Sequence, residues 1–168
     1  MLGESFPHKV LLTGGSGFVG GRLRAALLEA GADVVALVRE ASPVVRDGRS
    51  AVVNYEEPET LRQVIEAERP DYLFHVAGAT KGVSLEDFRT GNVMPTRHLI
   101  EAIEASGHAP RRFLLVSSLT AYGPSNAGPP LREQDVPEPV EHYGRSKLEA
   151  EGVLQAVGDR FPWTILRP

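Results

Sequence analysis

The chain has 168 residues and a mass of 18.2 kDa, with 42% hydrophobic and 24% charged residues, the composition of one globular domain, which excludes disordered and collagen-like architectures. It has no cysteine, so a disulfide, a thiol nucleophile, a zinc–thiolate site and an iron–sulfur cluster are all excluded. The 18 basic and 22 acidic residues leave a net charge of −4 with no block of like charge, which argues against nucleic acid as a main partner.

The apolar runs are a few residues long, far short of the ~20 needed to span a membrane. Met1–Lys9 lacks the basic, apolar and small-residue regions of a signal peptide. A cytoplasmic protein is the expectation.

Lys9-Val10-Leu11-Leu12-Thr13 reads as a buried strand that runs into the glycine-rich stretch Gly14 to Gly21. From Gly17 to Ala30 the apolar residues Val19, Leu23, Ala26, Leu27 and Ala30 recur at helical spacing, and Gly31 supplies the stop. Asp33–Val38 is a second strand, and the alternation continues. A strand near Ala51–Val53 is followed by a helix from about Glu57 to Glu68, a strand Tyr72–Val76, and a long helix ending near Ser106. Phe113–Ser117 is a fifth strand. The stretch Gly123–Glu141 holds five prolines and no period, and reads as a loop that either covers a site or is a solvated connector. A helix from about His142 to Val157 and a strand Trp163–Leu166 complete the chain. Strands apolar on both faces that alternate with helices predict an α/β fold, a doubly wound parallel sheet of the Rossmann type with helices on both faces.

Gly15, Gly17 and Gly20 fit G-x-G-x-x-G, and Gly14, Gly17 and Gly20 fit G-x-x-G-x-x-G, directly after a strand and opening a helix. A tight turn there needs positive φ, close approach to a pyrophosphate forbids a Cβ, and the helix start presents unpaired N–H groups to the anion. A dinucleotide is therefore the expected cofactor. An acid about 20 residues further on would hold the ribose 2′-hydroxyl of NAD. Val38 and Arg39 stand there instead, and a guanidinium favours the 2′-phosphate of NADP. NADP is preferred, with NAD the alternative.

Tyr143 and Lys147 lie four residues apart on a predicted helix, hence on one face. A phenol ordinarily ionises near 10, so acid/base work at neutrality requires about 4 kcal/mol of differential stabilisation of the phenolate, which an adjacent ammonium and an oxidised nicotinamide can supply. The spacing alone is uninformative; its companions are Ser117 and Ser118 at the end of the fifth strand, the edge at which open α/β sheets bind ligands. The five histidines, His8, His75, His98, His108 and His142, show no ligand spacing, so no metal is expected and they read as surface or packing residues.

Thr13-Gly14-Gly15-Ser16-Gly17-Phe18-Val19-Gly20, His75-Val76-Ala77-Gly78, Asn92-Val93, Ser117-Ser118 before Tyr122-Gly123, and Tyr143-Gly144-Arg145-Ser146-Lys147 together resemble an extended short-chain dehydrogenase/reductase. More narrowly, they resemble the NAD(P)-dependent epimerase/dehydratase branch. The resemblance covers essentially the whole chain. It implies that Tyr143 is the catalytic acid/base, that Lys147 lowers its pKa and holds the nicotinamide ribose, and that Ser118 hydrogen-bonds the reacting hydroxyl or carbonyl. It further implies that Gly14, Gly17, Phe18, Val19 and Gly20 line the pyrophosphate, that Asn54 and Tyr55 lie by the adenine, and that Ala77, Gly78 and Ala79 contact the nicotinamide half. Asn54 stands where many members carry Asp.

The chain stops at Leu166-Arg167-Pro168, where family members continue into a substrate-binding lobe. Residues 1–168 are therefore expected to be a cofactor-binding domain truncated before that lobe. The implied activity is hydride transfer at a hydroxyl or carbonyl carbon, for instance of a nucleotide sugar, without net redox. An NADPH-dependent carbonyl reductase and a non-catalytic dinucleotide sensor remain open. A homodimer through the 84–106 and 142–157 helices is implied by resemblance alone.

Overall fold

The structure is a computed structural model, and it describes residues 5–42, 47–124 and 130–168. Six parallel strands form one sheet in the order β3-β2-β1-β4-β5-β6: β1 (Lys9–Thr13), β2 (Asp33–Val38), β3 (Arg49–Val52), β4 (Tyr72–His75), β5 (Arg112–Val116) and β6 (Trp163–Leu166). Helices α1 (Phe18–Glu29), α2 (Pro58–Glu68), α3 (Leu85–Phe88), α4 (Met94–Ser106) and α5 (His142–Gln155) make the connections. The expected fold class is the one observed. Residues 125–129 of the proline-rich loop lie outside the described residues.

The central strand is apolar on both faces because both are covered. Val10, Leu11 and Leu12 are fully buried, and Leu11 pairs in register with Val35 of β2 and Leu73 of β4. Leu11, Val35, Leu73, Phe113 and Leu115 face α2, α4 and α5 through Leu61, Ile65, Leu99, Ile103 and Leu154. Val10, Leu12 and Val34 face α1 through Leu27, with Leu23 and Leu28 packed alongside. The β1–α1–β2 and β3–α2–β4 connections thus cross on opposite faces, and the strand order reverses between β1 and β4. That reversal opens a crevice at the carboxyl ends of the strands.

The two faces are covered unequally. Among the described residues three helices shield one face and only α1 the other, so Tyr72, Phe74, Leu114 and Val116 on the α1 side are half-buried and Leu166 is 48% exposed. The sequence predicts one unbroken helix ending near Ser106, but a π-helical turn over Arg89–Val93 separates α3 from α4. Ser84 and Asp87 close a capping box at the start of α3, and Gly107, in the left-handed region at φ +66°, ends α4.

Charge collects at the opposite edge from the crevice. Lys9 and Arg49, at the amino ends of β1 and β3, both pair with Glu68, at 3.2 and 2.6 Å, and Arg49 also pairs with Asp33 at 3.2 Å. No helix among the described residues is long and apolar enough to cross a membrane.

Candidate active site

The turn after β1 is built by absence of side chains. Gly14 has φ +72°, and a Cβ on it would lie 2.7 Å from Ala77 N; a Cβ on Gly20 would lie 2.1 Å from Gly14 O. Gly14 therefore lets β1 and the end of β4 approach, and Gly20 lets α1 start against the turn. Gly17, the N-cap, offers no side-chain bond to the first turn of α1, so those N–H groups are directed at the crevice without a side-chain acceptor. Phe18 is 88% exposed, on the rim.

Beside this turn lies a cleft of about 540 Å³, within the range of small-molecule sites, lined by Gly14, Ser16, Arg39, Ser42, Asn54, Tyr55, Ala77, Gly78, Ala79, Thr90, Met94 and His98 among others. It gathers seven of the residues singled out in the sequence: Gly14, Arg39, Asn54, Tyr55, Ala77, Gly78 and Ala79. Gly17, Phe18, Val19 and Gly20, at the start of α1, stand outside its lining, and so do Ser118, Tyr143 and Lys147. Arg39 is exposed at the end of β2, and its backbone N–H donates to Ser42 Oγ at 3.0 Å. The Tyr55 hydroxyl is buried without a hydrogen-bond partner, and burial pushes the phenol up. Asn54 spends its side chain locally, accepting from Glu56 N at 3.0 Å and donating to Glu57 Oε1 at 2.9 Å. An uncapped helix start, glycines with no space for a Cβ, an orphaned buried hydroxyl and a guanidinium at the β2 end suit a dinucleotide.

Thr90, Met94 and His98 carried no signal in the sequence. His98, read there as surface or packing, lines the cleft, and its Nδ1 donates to the Tyr55 carbonyl.

The end of β4 is clamped from the π turn. Asn92, 1% exposed, accepts from Ala79 N at 2.8 Å and donates to Ala79 O at 3.1 Å and Ser146 Oγ at 2.9 Å. Gly91 is needed because a Cβ there would lie 2.4 Å from Ala79 Cβ. Beneath, Thr13 Oγ1 accepts the N–H groups of Val76 and Ala77 at 3.1 and 3.0 Å, so its proton goes to His75 Nδ1 at 2.7 Å. His75 Nε2–H then donates to Thr96 Oγ1 at 3.1 Å, and Thr96 donates to Asn92 O at 2.8 Å. Full burial, aided by the Lys147 charge, lowers His75 to about 3, which keeps it neutral.

Tyr143 and Lys147 stand on α5, as the spacing predicts, and α5 lies against the turn that holds Ser118. A Cβ on Gly144 would sit 2.3 Å from Thr120 O. The Tyr143 ring is half-buried, edge-on to Phe88 at 5.9 Å between centroids. Lys147, 4% exposed, donates to Val116 O at 2.8 Å, two residues before Ser118, and its Nζ would be 3.6 Å from a Cβ on Gly78. Burial lowers the ammonium to about 8, against the pull of Glu151, which raises it. Ser118 Oγ lies 3.0 Å from Thr120 Oγ1 and accepts Thr120 N–H at 3.3 Å. Of the three, Lys147 is the one that reaches the end of β4; Tyr143 shares its helix, and Ser118 lies on the turn after β5 against which that helix packs.

Comparison with known proteins identifies the family of the chain. Residues 10–168 match the NAD dependent epimerase/dehydratase family. The chain is 35% identical over 165 residues to dTDP-6-deoxy-L-talose 4-dehydrogenase (NAD(P)(+)) of Kitasatospora kifunensis, covering 96% of this chain and 52% of that protein. It is 32% identical to GDP-6-deoxy-D-mannose reductase of Pseudomonas aeruginosa, with 95% and 50% covered. Among solved structures, UDP-glucose 4-epimerase of Thermus thermophilus, in complex with NAD, superposes with a TM-score of 0.83 at 27% identity, over 95% of this chain and 54% of that one. The chain thus spans about half the length of these relatives. With the glycine turn, the clamped β4 end and the α5 pair in place, the chain belongs to the NAD-dependent epimerase/dehydratase family.

Proposed function

We propose that this chain supplies the cofactor half of an enzyme of epimerase/dehydratase type, acting on a hydroxyl or carbonyl carbon of a nucleotide-linked sugar. One observation carries the reading: Lys147 is buried at the end of β5 within reach of Gly78, on the same helix face as Tyr143. The relatives named for deoxysugar nucleotides support the substrate class. When bound, the nicotinamide supplies the hydride acceptor and donor. Gly14, Gly17, Phe18, Val19 and Gly20 would hold the pyrophosphate at the start of α1. Tyr55 and Asn54 would flank the adenine, and Ala77, Gly78 and Ala79 the nicotinamide side.

In the proposed chemistry Tyr143 takes the proton of the substrate hydroxyl, or returns it to the carbonyl oxygen, and Ser118 donates a hydrogen bond to that oxygen. The Lys147 ammonium favours the phenolate electrostatically and hydrogen-bonds the nicotinamide ribose.

A second reading, net reduction of a carbonyl with NADPH, is favoured by Arg39, which lines the cleft at the end of β2 with Ser42 beside it. Calorimetric titration of the chain with NADP and, separately, NAD at fixed salt tests both. NADP should bind more tightly than NAD, and Arg39→Ala should weaken NADP about 10- to 100-fold, the range of a lost charge-assisted contact, while leaving NAD unchanged. Equal or tighter binding of NAD would overturn the role of Arg39 and favour the redox-neutral reaction. Binding of neither cofactor to the folded chain would overturn the assignment of the site.

A homodimer through α4 and α5 belongs to the same proposal. A groove between these helices is lined by Ile100, Glu104, Gly152, Val153, Arg160 and neighbours, where Glu104 and Arg160 pair with each other; a two-fold interface there would set this groove against its own copy.

A further inference from the structure

Tyr143, Lys147 and Glu151 occupy one stripe of α5, each a turn below the last, and they descend from a half-buried phenol to a carboxylate with no solvent exposure at all. A carboxylate in such a place is costly unless every oxygen is met. Glu151 Oε1 accepts from Arg167 Nε at 2.9 Å and from the Ser117 hydroxyl, and Oε2 accepts from Arg167 Nη2 at 2.5 Å. The guanidinium therefore grips the carboxylate as a fork. Its third nitrogen, Nη1, donates to the Tyr122 hydroxyl at 2.7 Å, and the Tyr122 hydroxyl donates to Glu133 O at 2.8 Å.

This network brackets Ser118. Ser117 N donates to Leu166 O at 2.7 Å and Leu119 N to Pro168 O at 3.0 Å, while the Ser117 side chain is held by Glu151. The residues on either side of Ser118 are thus pinned to the segment that carries Arg167. Lys147 is bonded to Val116 O on the same strand.

We propose that Glu151 is a positioning residue of the site: through Ser117 and Arg167 it fixes the turn that presents Ser118, and it sets its carboxylate one helical turn from Lys147 on the same stripe of α5. The proposal rests on the roles given above to Ser118 and Lys147. Among the described residues the charged and titratable groups around Lys147 are few. Glu151 and Tyr143 share its helix, His75 of β4 is neutral, Arg167 follows β6, and the Asn92 side chain is an uncharged amide. Glu149, on the same helix, is paired with Arg89 at 2.7 Å. Glu151 is accordingly the acidic group that raises Lys147 against its burial.

The chain has three lysines, Lys9, Lys81 and Lys147, so the Lys147 side chain can be followed individually by NMR of labelled lysine as a function of pH, without cofactor. Glu151→Gln keeps the shape and removes the charge. Its Lys147 midpoint should fall by about one pH unit, the size expected for loss of a partly screened charge at this range, with Lys9 and Lys81 unmoved. Arg167→Met breaks the same network but leaves the carboxylate, and its midpoint should stay at or above that of the wild type. If both variants lower the midpoint equally, loosened packing accounts for the change and the proposal fails; it fails also if Glu151→Gln leaves the midpoint where it was. Should Glu151→Gln alone not fold, Arg167→Met is compared with the double variant Glu151→Gln/Arg167→Met, in which the guanidinium is not left buried without its carboxylate, and the double variant must titrate lower. Failure of the wild type to bind either nicotinamide cofactor would sink the functional reading independently, because the lysine titration does not depend on it.

Discussion

A single imidazole shows how residue-scale chemistry supports the crevice. His75 lies on β4 with its Nδ1 facing a Thr13 hydroxyl that already accepts two backbone N–H groups, so a second ring proton would meet no acceptor. Its folded pKa of about 3 lies below the ordinary 6.5, and in that interval the unfolded chain binds the extra proton. The stability contributed by neutral His75 is therefore complete above pH 6.5 and is lost as pH falls towards 3. Between pH 6.5 and 5 this one residue should cost about 2 kcal/mol, before Asp71, Asp87 and Glu149, whose partners hold them below the usual carboxylate range, begin to protonate. Urea midpoints at pH 7, 6 and 5 check this. The wild type should lose stability over that range and His75→Gln should lose less, whereas parallel slopes would show that His75 is not the group responsible. The sequence placed His75 in the right strand but offered nothing about its burial or its two threonine partners.

At the scale of elements, the π turn between α3 and α4 gives the site its rigidity. One additional residue per turn over Arg89–Val93 rotates Gly91 and Asn92 onto the end of β4, a use for which such turns are found. A 3.6-residue apolar period cannot register a bulge of one residue, so the sequence read a continuous helix, and only the pair Gly91–Asn92 marks the spot. Asn92→Ala removes three hydrogen bonds and leaves the part-buried amide of Ala79 without its partner. It should lower stability by about 1–3 kcal/mol, the cost of the lost bonds and a partly desolvated group left unmet, and should weaken cofactor binding as the β4 end loosens. Denaturant unfolding and the calorimetric titration give the two readouts; unchanged values in both would mean that Asn92 is a bystander.

For the whole molecule, the all-parallel sheet with its order reversal is what converts separate motifs into one site. The glycine turn, the β4 end and the Ser118 turn follow β1, β4 and β5, which are neighbours in the sheet although about 60 and more residues part the first from the others. The same architecture leaves α4 and α5 side by side with a groove between them. If that groove docks a second copy, sedimentation of the wild type should give a dimer and Gly152→Arg a monomer. A Cβ at Gly152 meets nothing within 4 Å, so the substitution should leave the monomer's thermal unfolding intact. A wild type that sediments as a monomer at every concentration would exclude this interface.

What the sequence determined by itself was local: which segments are strands and helices, where Gly14 and Gly20 permit a turn that no other residue could make, and that Tyr143 and Lys147 share a helix face. These follow from backbone sterics and from apolar periodicity, both of which act over a few residues. The tertiary structure decided the rest. Asp and Glu on a helix ordinarily read as solvated, and Glu151 is buried only because β5, β6 and α5 exclude water from it together. The neutrality of His75, the lowered Lys147, the orphaned Tyr55 hydroxyl and the place of His98 in the cleft all depend on burial. Burial is set by residues far apart in the chain, and no local pattern carries it.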